Sequence, residues 1–437
     1  MWQIIQTSYE VKKALGSHLE YLRKIDPLKA ERDKTIALKK KLIKQFGSKC
    51  AYCNGEGSVD AAHIIPLEIG AKTAEDNMIL LCKDCHKAYD SGHMSIRKMQ
   101  VFARDFKLGK VSSLGEKIAV QEKPQGSITK APASLSPLFD DLLDMQKSNK
   151  FAKAVRLVKK ELKRTDLSNE EKVYLTIKLG ELTRRRAARG VLEESLRYLE
   201  SIDEGKVPKS CKPVYYYEIG YANRLLGNHK KALNIYLKGI NATPTDSGAD
   251  NVAAEVNKIL CEMAVSDKLT PKQERTLTKR LNDLKVKCQK AGGYWGERWE
   301  LNCIAHNLQV SIKARNEKAS WKKFKTYQES YFSSELSKGW DAGSKQSYSL
   351  LKGLVFVLFP RNEEDFEMGI SLLARTFLAR LGYRQRFEGI RDAGMGLAVG
   401  LDKKGGQRNV KVAKVLNYLM SRTIDGTSYI WPWRGEG

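Results

Sequence analysis

Four cysteines arranged as two C-x-x-C pairs are the residues whose types and spacing most directly specify a chemistry. They are Cys50 and Cys53, followed by Cys82 and Cys85. A closed tetrahedral zinc site requires four ligands, and each pair can present both sulfurs within one tight turn. The 28 residues between the pairs exceed the spacing of a simple zinc ribbon. The metal is therefore expected to close an element larger than a bare hairpin.

The segment between the cysteine pairs predicts a β-hairpin that leads into a helix. Residues 59–65 (VDAAHII) have the composition of a strand, and Pro66 ends it because proline has no amide hydrogen to donate. Residues 76–81 (DNMILL) predict the second strand, and residues 83–89 suit a short helix. A zinc ion at the base of this unit would direct three polar side chains toward one cleft: His63, Asn77 and His86.

This order of residues resembles the HNH endonucleases, the zinc-framed branch of the ββα-metal (His-Me finger) nucleases. The similarity lies in CxxC, then HIIP, then DNxIxLCxxCH, and it covers residues 40–95. The resemblance implies that His63 is the general base, a task that suits a side chain titrating near physiological pH. It implies that His86 binds one catalytic divalent cation, Mg²⁺ or Mn²⁺ and otherwise Ni²⁺. Asn77 would order the hairpin loop, fix the base, or share in binding that cation.

One position departs from the family pattern. Many members carry an acidic residue or a histidine immediately before the base, where it binds the metal, and this chain has Ala62 there. Side chains alternate across a strand, so Asp60 is expected on the same face, two residues earlier. We therefore interpret Asp60 as a contributor to the catalytic metal, directly or through water. The alternative is a site with fewer protein ligands and more water, which magnesium tolerates.

Other readings of the same residues stay open. The motif CxxCH at residues 82–86 is also that of a covalent c-type haem site. The second C-x-x-C upstream and the lack of a secretory signal argue against haem. A zinc knuckle that binds nucleic acid without cutting it explains the cysteines. That interpretation does not explain why His63, Asn77 and His86 occur at the positions of the family pattern.

Composition defines the setting of this site. A chain of 437 residues exceeds the size over which one hydrophobic core usually grows, so two or more domains are expected. The longest apolar run, residues 354–359, is far too short to cross a bilayer, and the start of the chain lacks the features of a signal peptide. A cytoplasmic protein is predicted. The remaining four cysteines then serve as buried apolar residues: Cys211, Cys261, Cys288 and Cys303.

The net charge of +26 favours a polyanionic partner. Contacts between basic side chains and phosphates would dominate such binding and make it sensitive to salt. For the nuclease region the charge favours nucleic acid, with DNA as the first choice. For the rest of the chain, scattered lysines that keep a large helical protein in solution explain the charge equally well.

The chain is predicted to be mainly α, with a small zinc-stapled ββα-metal module and a helical repeat domain. The predicted division is an N-terminal helical segment at 1–48, the HNH module at 49–110, a linker at 111–137 and the repeat domain at 138–437. Serine, glycine and proline dominate the linker, which can bury little apolar surface. The nuclease module is therefore expected to move relative to the helices that follow.

The repeat domain is predicted from one clear unit at residues 215–245. Its small and aromatic residues fall at the spacing of a 34-residue tetratricopeptide repeat: Gly220, Gly227, Ala232, Tyr236, Gly239 and Pro244. Stacked helical hairpins leave a concave surface that usually binds proteins or peptides, so a protein partner is expected there. The basic run at residues 184–186, with Arg189, is a candidate phosphate contact, and a solvated helix end is its alternative.

These features predict a metal-dependent HNH endonuclease that hydrolyses DNA and is regulated or targeted by its helical repeats. Conditional cutting of this kind would suit bacterial defence against phage or plasmids. The alternative is a non-catalytic zinc adaptor that grips DNA and recruits a protein through the solenoid. A nuclease directed at RNA is a third reading.

Overall fold

The described part of the chain is mostly helical and contains one two-stranded sheet, which lies in its N-terminal quarter. A computed structural model describes residues 5, 8–25, 28–119, 132–148, 150–186, 190–242, 248–291, 293–334, 342–382, 389–423, 425 and 428–431. Most of the helices follow the sheet, as the sequence predicts. Within the described residues, no helix combines the length and apolarity that crossing a bilayer requires.

Among the described residues of the N-terminal region, three helices precede the sheet and two follow it. The first three are α1 (Ser8–Leu15), α2 (His18–Ile25) and α3 (Leu28–Phe46). The hairpin consists of β1 (Val59–His63) and β2 (Met78–Cys82). Two helices complete the unit: α4 (Lys83–Asp90) and α5 (Ile96–Lys107). We call residues 47–107 the ββα module.

The two strands pair antiparallel, with Val59 opposite Cys82 and His63 opposite Met78. β1 ends two residues earlier than the sequence predicts. The amides of Ile64 and Ile65 donate instead to the main-chain and side-chain oxygens of Asn77. The register places the last residue of β2, Cys82, directly before α4, so the second cysteine pair lies where strand becomes helix.

Helix α3 and the hairpin share one hydrophobic core. Leu42 of α3 is buried together with Leu81 of β2, Tyr89 of α4 and Met99 of α5. α3 precedes residue 48, where the sequence predicts the boundary between the N-terminal segment and the HNH module, and it packs against the module. That boundary stays a prediction. Within the predicted linker, Ile118 is buried in the same core. Residues 120–131 of the linker lie outside the described residues.

The rest of the described chain forms helices joined by short connections. These helices are α6 (Ser136–Lys147), α7 (Phe151–Glu161), α8 (Asn169–Arg184), α9 (Val191–Glu200), α10 (Lys212–Leu225), α11 (His229–Ala242), α12 (Gly248–Val265), α13 (Pro271–Ala291), α14 (Gly293–Lys313), α15 (Glu317–Ser333), α16 (Ala342–Leu358), α17 (Glu363–Gly382), α18 (Ile390–Lys404) and α19 (Gln407–Ser421). Consecutive helices pack mainly on each other, which is the contact pattern of stacked hairpins.

Helices α10 and α11 form the hairpin for which the sequence predicts a tetratricopeptide repeat. Gly227 makes the turn with a φ of +81°, a conformation that favours glycine. At Gly220 a Cβ would lie 2.8 Å from the Tyr236 ring, so only glycine allows this close approach of the two helices. The helical hairpin is present, whereas its assignment to that repeat family stays a prediction. Pro244 lies outside the described residues.

The two ends of the chain meet in one core. Val11, Leu15 and Leu22, from α1 and α2, are buried with residues of α16–α19. A short parallel bridge joins Ile5 to Thr423. The N-terminal helices therefore pack on the last helices of the chain, a contact that no local sequence pattern indicates.

The ββα module contacts the helical half through the loop at residues 67–70, which we call the hairpin loop. Ile69 is buried among the helices, and three of their side chains bind main-chain oxygens of the loop. Ser349 donates to Glu68 at 2.8 Å, Lys352 donates to Ile69 at 3.2 Å, and Arg375 donates to Leu67. These bonds connect the module with α16 and α17. The expected movement of the module relative to the later helices stays a prediction.

Candidate active site

The four cysteines predicted to bind zinc lie together at the base of the hairpin. Their sulfur atoms are all within 4.8 Å of one another. The Sγ atoms of Cys53 and Cys82 are 3.8 Å apart. A tetrahedral zinc with Zn–S bonds of about 2.3 Å separates its sulfurs by about 3.8 Å. The cluster therefore has the ligand type, number and size that a zinc ion requires, and each sulfur would contribute one ligand.

The side chain of His63 lies at the end of β1, half-buried, and contacts Thr73. The distance between His63 Nε2 and Thr73 Oγ1 is 3.0 Å. The Thr73 hydroxyl has a single hydrogen, which it donates to the main-chain oxygen of Glu31 at 2.7 Å. Because that hydrogen is already used, Thr73 Oγ1 can only accept from His63 Nε2–H. Neutral His63 is thereby held in the tautomer whose Nδ1 is free of hydrogen and can accept a proton.

Burial lowers the pKa of His63 below its ordinary value, and the neighbouring charge of His86 lowers it further. The carboxylates of Glu68, Asp90 and Glu31 oppose that shift. The net direction keeps the imidazole neutral at physiological pH. A neutral imidazole with an accessible nitrogen is the form that a general base requires.

His86 lies on α4 between two carboxylates. Its Nε2 is 3.3 Å from an oxygen of Asp90, one helical turn further along. Its Nδ1 is 3.9 Å from an oxygen of Asp60, on β1. A histidine that binds a metal through one nitrogen usually donates its other N–H to a carboxylate, which orients the ring. This arrangement suits a cation held by Nδ1 of His86 and by Asp60, with Asp90 as the orienting carboxylate.

Asp60 is exposed on the face of β1 that carries the buried Ala62. Its other carboxylate oxygen is 3.2 Å from the ammonium of Lys39, on α3. The side chain thus reaches both a cation of the protein and the ring of His86. Among the described residues, the four cysteines are the only group of three or more side chains placed closely enough to bind one metal ion. Water would therefore complete most of the coordination of a cation at His86 and Asp60.

Asn77 binds main-chain groups on both sides of the hairpin connection. Its side-chain oxygen accepts from Ile65 N at 2.8 Å, and its amide nitrogen donates to Ile65 and Lys72 oxygens, each at 3.0 Å. These three bonds use both ends of the amide. Of the three roles that the resemblance implies for Asn77, this geometry fits the one in which it orders the loop.

Tyr89 joins the helix that carries His86 to the strand that carries His63. It is fully buried, and its hydroxyl donates to the main-chain oxygen of Ile64. Because Ile64 directly follows His63, this bond fixes the spacing between the two histidines. The packing of α4 on β1 therefore brings His63 and His86, which are 23 residues apart in the sequence, to one cleft.

Three residues of this site escape the sequence reasoning. Asp90 follows His86 by four residues, which places both on one helix face, and that spacing was a usable signal. Thr73 lies in the hairpin connection, and its contact with His63 depends on the loop conformation. Glu31 lies on α3, and no local pattern links it to the hairpin.

The module thus combines a two-stranded hairpin, a helix, four clustered cysteines and a half-buried histidine at the end of β1. Residues 47–97 match a family model described as HNH endonuclease. The matched segment contains the four cysteines and all three predicted polar site residues. The comparison with curated proteins gave no match, and the comparison with solved structures gave none. The family match suggests nuclease activity and metal dependence for this segment.

Proposed function

We propose that the ββα module, together with α3, is a metal-dependent endonuclease that hydrolyses phosphodiester bonds of DNA. The observation that carries this proposal is the pairing of two environments in one cleft. A neutral histidine has a nitrogen ready to accept a proton, and a second histidine lies between two carboxylates. Hydrolysis of a phosphodiester needs both a base for the attacking water and a site for a cation.

In the proposed reaction His63 Nδ1 accepts a proton from water as its oxygen attacks phosphorus. The bond from phosphorus to the leaving oxygen breaks, and that oxygen takes a proton from solvent water. The His63 imidazolium then returns its proton to solvent. Thr73 keeps Nε2 of His63 in its N–H form through the attack. The resulting imidazolium lies near Asp90 and Glu68, whose carboxylates stabilise the added charge.

Nδ1 of His86 and the carboxylate of Asp60 would hold the catalytic cation, for which Mg²⁺ and Mn²⁺ are the first choices and Ni²⁺ the next. When bound, such a cation neutralises charge on the phosphate and on the leaving oxygen. Asp90 would accept the Nε2–H of His86 and orient the ring. Asn77 orders the loop that separates the two strands.

Asp90→Asn is expected to lower the cleavage rate by about 10- to 100-fold, because an orienting carboxylate supports a metal-binding histidine to that extent. The rate should partly recover as the Mn²⁺ concentration rises, since the defect lies in metal affinity. Asp84→Asn is the matched control, because Asp84 lies on the same helix but is exposed and paired with Lys117. Equal rates for Asp90→Asn and wild type would refute the orienting role.

Asp60→Ala tests whether Asp60 replaces the ligand that is missing at Ala62. We expect a lower affinity for Mn²⁺, seen as a higher metal concentration for half-maximal cleavage, because one carboxylate ligand is lost. Should Asp60→Ala leave metal-dependent cleavage unchanged while His86→Ala abolishes it, Asp60 is not a ligand.

Thr73→Val is expected to reduce cleavage by about 10- to 100-fold, by analogy with other residues that orient an active histidine through a hydrogen bond. Valine keeps the shape but cannot accept from His63 Nε2. Thr73→Ser restores the hydroxyl and should restore most of the rate. Thr326→Val, on an exposed face of α15, is the control for a threonine-to-valine change. A Thr73→Ser protein as slow as Thr73→Val would show that packing, rather than the hydrogen bond, matters.

DNA is the proposed substrate because the chain carries a net charge of +26 and the family match is to an endonuclease. Part of the basic charge near the cleft is paired within the module. Lys39 contacts Asp60 and Lys41 contacts Glu75. Binding is therefore expected to use other lysines and arginines as well, and to weaken as salt rises.

The deciding assay incubates the full chain with supercoiled plasmid, linear duplex, single strands and RNA in Mg²⁺, Mn²⁺ or Ni²⁺. Cutting of DNA that disappears in His63→Ala supports the proposal. Cutting of RNA alone selects the RNA-directed alternative. Binding of DNA without cutting, in wild type and His63→Ala alike, selects the non-catalytic zinc adaptor. We further propose that the helical half regulates or targets the nuclease, by recruiting a protein partner, and that conditional cutting serves defence in the cytoplasm.

A further inference from the structure

The helical half contains a cavity of about 610 Å³ that lies outside the ββα module. Its walls come from alternate helices α6, α8, α10, α12, α14, α16 and α18, together with Arg380 of α17 and Tyr429 near the C-terminus. This is the inner surface of the stacked hairpins. Pockets for small molecules usually measure about 300 to 1,000 Å³, so the cavity has the size of a ligand site.

Basic side chains outnumber carboxylates in the lining of this cavity. The lining holds six cations and three carboxylates, a formal excess of three positive charges. The cations are Lys178, Arg184, Arg185, Arg224, Arg298 and Arg380, and the carboxylates are Glu181, Glu218 and Asp392. A ligand with one negative charge would leave most of this excess in place, so a group with several negative charges fits better.

The three carboxylates of the lining bind neighbouring side chains and a main-chain amide of the protein. Glu218 accepts from Arg184 through two bonds, at 2.9 and 3.1 Å, and Glu181 pairs with Lys178 at 2.7 Å. Asp392 accepts from Ser428 and from the amide of Tyr429. Burial raises the pKa of Asp392 to about 7, which weakens its negative charge at neutral pH. Counted over the lining residues alone, formal positive charge therefore exceeds formal negative charge.

Aromatic rings lie among these cations. Two guanidinium groups lie over the ring of Tyr221, with Cζ of Arg184 at 4.4 Å and Cζ of Arg224 at 4.6 Å from the ring centroid. Tyr217 stacks on Tyr221 with an angle of 10° between the rings. Trp299 lines the same cavity, and its buried indole Nε1 has no hydrogen-bond partner among the described residues. The Trp299 ring offers a stacking surface for a base, and the cations nearby offer contacts for phosphate.

We propose that this cavity is a binding site for a nucleotide, with a polyphosphate near the arginines and a base near Trp299. The neutral polar lining suits the hydrogen-bonding edge of a base. His306 contacts Gln309 through Nδ1 at 2.7 Å, and burial lowers the pKa of His306 to about 4, so its ring stays neutral. The basic run predicted as a phosphate contact contributes Arg184 and Arg185 to this lining. Both are paired there, Arg184 with Glu218 and Arg185 with Glu181. Arg186 pairs with Glu194. Arg189 lies outside the described residues.

Two helices connect the cavity with the hairpin loop. α16 presents Ser347 and Leu350 to the cavity and holds the loop through Ser349 and Lys352. α17 presents Arg380 to the cavity, and Arg375 of the same helix binds the loop. A nucleotide that shifts these helices would therefore change the rate of cleavage, an effect that rests on the proposed function.

The binding test titrates the four ribonucleoside triphosphates, inorganic triphosphate and adenosine into the full chain by calorimetry. We expect one nucleotide per chain to bind with a Kd below about 1 mM, and inorganic triphosphate to bind more weakly. Arg298→Ala removes an exposed cation at the cavity and should weaken nucleotide binding about tenfold or more. Arg275→Ala, on the outer helix α13, is the matched control and should change Kd by less than about twofold.

Trp299→Leu separates the two ends of the proposed ligand. It should weaken nucleotide binding about tenfold, because stacking on an aromatic ring is lost, and leave inorganic triphosphate unaffected. Absence of binding for all four nucleotides overturns the proposal. A nucleotide Kd that stays unchanged in both Arg298→Ala and Trp299→Leu also overturns it. The same holds if Arg275→Ala weakens nucleotide binding as much as Arg298→Ala does. Inorganic triphosphate that binds as tightly as every nucleotide overturns the nucleotide class.

The regulatory effect has its own readout. The bound nucleotide should change plasmid cleavage in wild type, and Arg298→Ala should remove that change at the same nucleotide concentration. Calorimetric binding with an unaltered cleavage rate would overturn regulation while leaving the site itself intact. Calorimetric binding in a protein that cuts no nucleic acid under any condition would refute the proposed nuclease and not the cavity.

Discussion

Cys85→Ser is expected to abolish zinc binding and to unfold the ββα module. Cys85 is fully buried at the start of α4, and its sulfur is one of four within 4.8 Å of one another. Structural zinc contributes about 10 to 16 kcal/mol in small zinc-binding peptides, which equals or exceeds the whole stability of a typical domain. A hairpin of two five-residue strands cannot replace that contribution with its own core.

Metal analysis and limited proteolysis measure this effect. Wild type should carry about one zinc per chain, and Cys85→Ser close to none. Protease should then cut within residues 47–97 while the later helices, which have their own cores, resist. Cys211→Ser is the control, because Cys211 is also buried but lies at the start of α10, away from the cluster. A Cys85→Ser protein that keeps its zinc and its protease resistance would show that the cluster is not a structural metal site.

His63→Ala is expected to reduce DNA cleavage by about 10²- to 10⁴-fold, the range that a positioned general base contributes. The side chain is half-buried and makes one hydrogen bond, to Thr73, so its removal should leave the zinc content and the fold unchanged. His18→Ala, on α2 outside the module, is the control for loss of an imidazole. Full activity in His63→Ala would require another general base and would refute the proposed mechanism.

The pH dependence of wild type provides a second measure of His63. Burial lowers the pKa of His63 from its ordinary value near 6.5. Protonation destroys the base, so cleavage should fall as pH decreases through a value below 6.5 and stay high above it. The same direction applies to stability, since the folded module loses stabilisation as its buried imidazole is forced to take a proton at low pH. At saturating metal, an acid limb well above pH 6.5 would contradict a buried, neutral base.

The hairpin loop joins the proposed active site to the helical half through hydrogen bonds. Three main-chain oxygens of residues 67–69 accept bonds from α16 and α17. Burial lowers the pKa of Lys352 to about 8, so the ammonium that binds the loop is close to losing its proton under mildly alkaline conditions. The loop lies between His63 and Thr73 in sequence, so movement of α16 would disturb the bond between these two side chains.

Local patterns in the sequence were sufficient to predict the module. Cysteine spacing, strand alternation and the turn into α4 each depend on residues near one another in the chain, and the structure brings the four sulfurs together accordingly. The helical remainder and the hairpin of α10 and α11 follow from helical periodicity and from the positions of small residues, which are again local properties.

The tertiary structure decided the features that depend on distant contacts. The tautomer of His63 depends on Glu31, which lies on a separate helix, and the position of the hairpin loop depends on Ser349, Lys352 and Arg375. The cavity collects cations from alternate helices that share no common motif. Sequence spacing reports which residues share a strand or a helix face. Packing alone determines which of those faces meet, because it depends on the shape and burial of the entire chain.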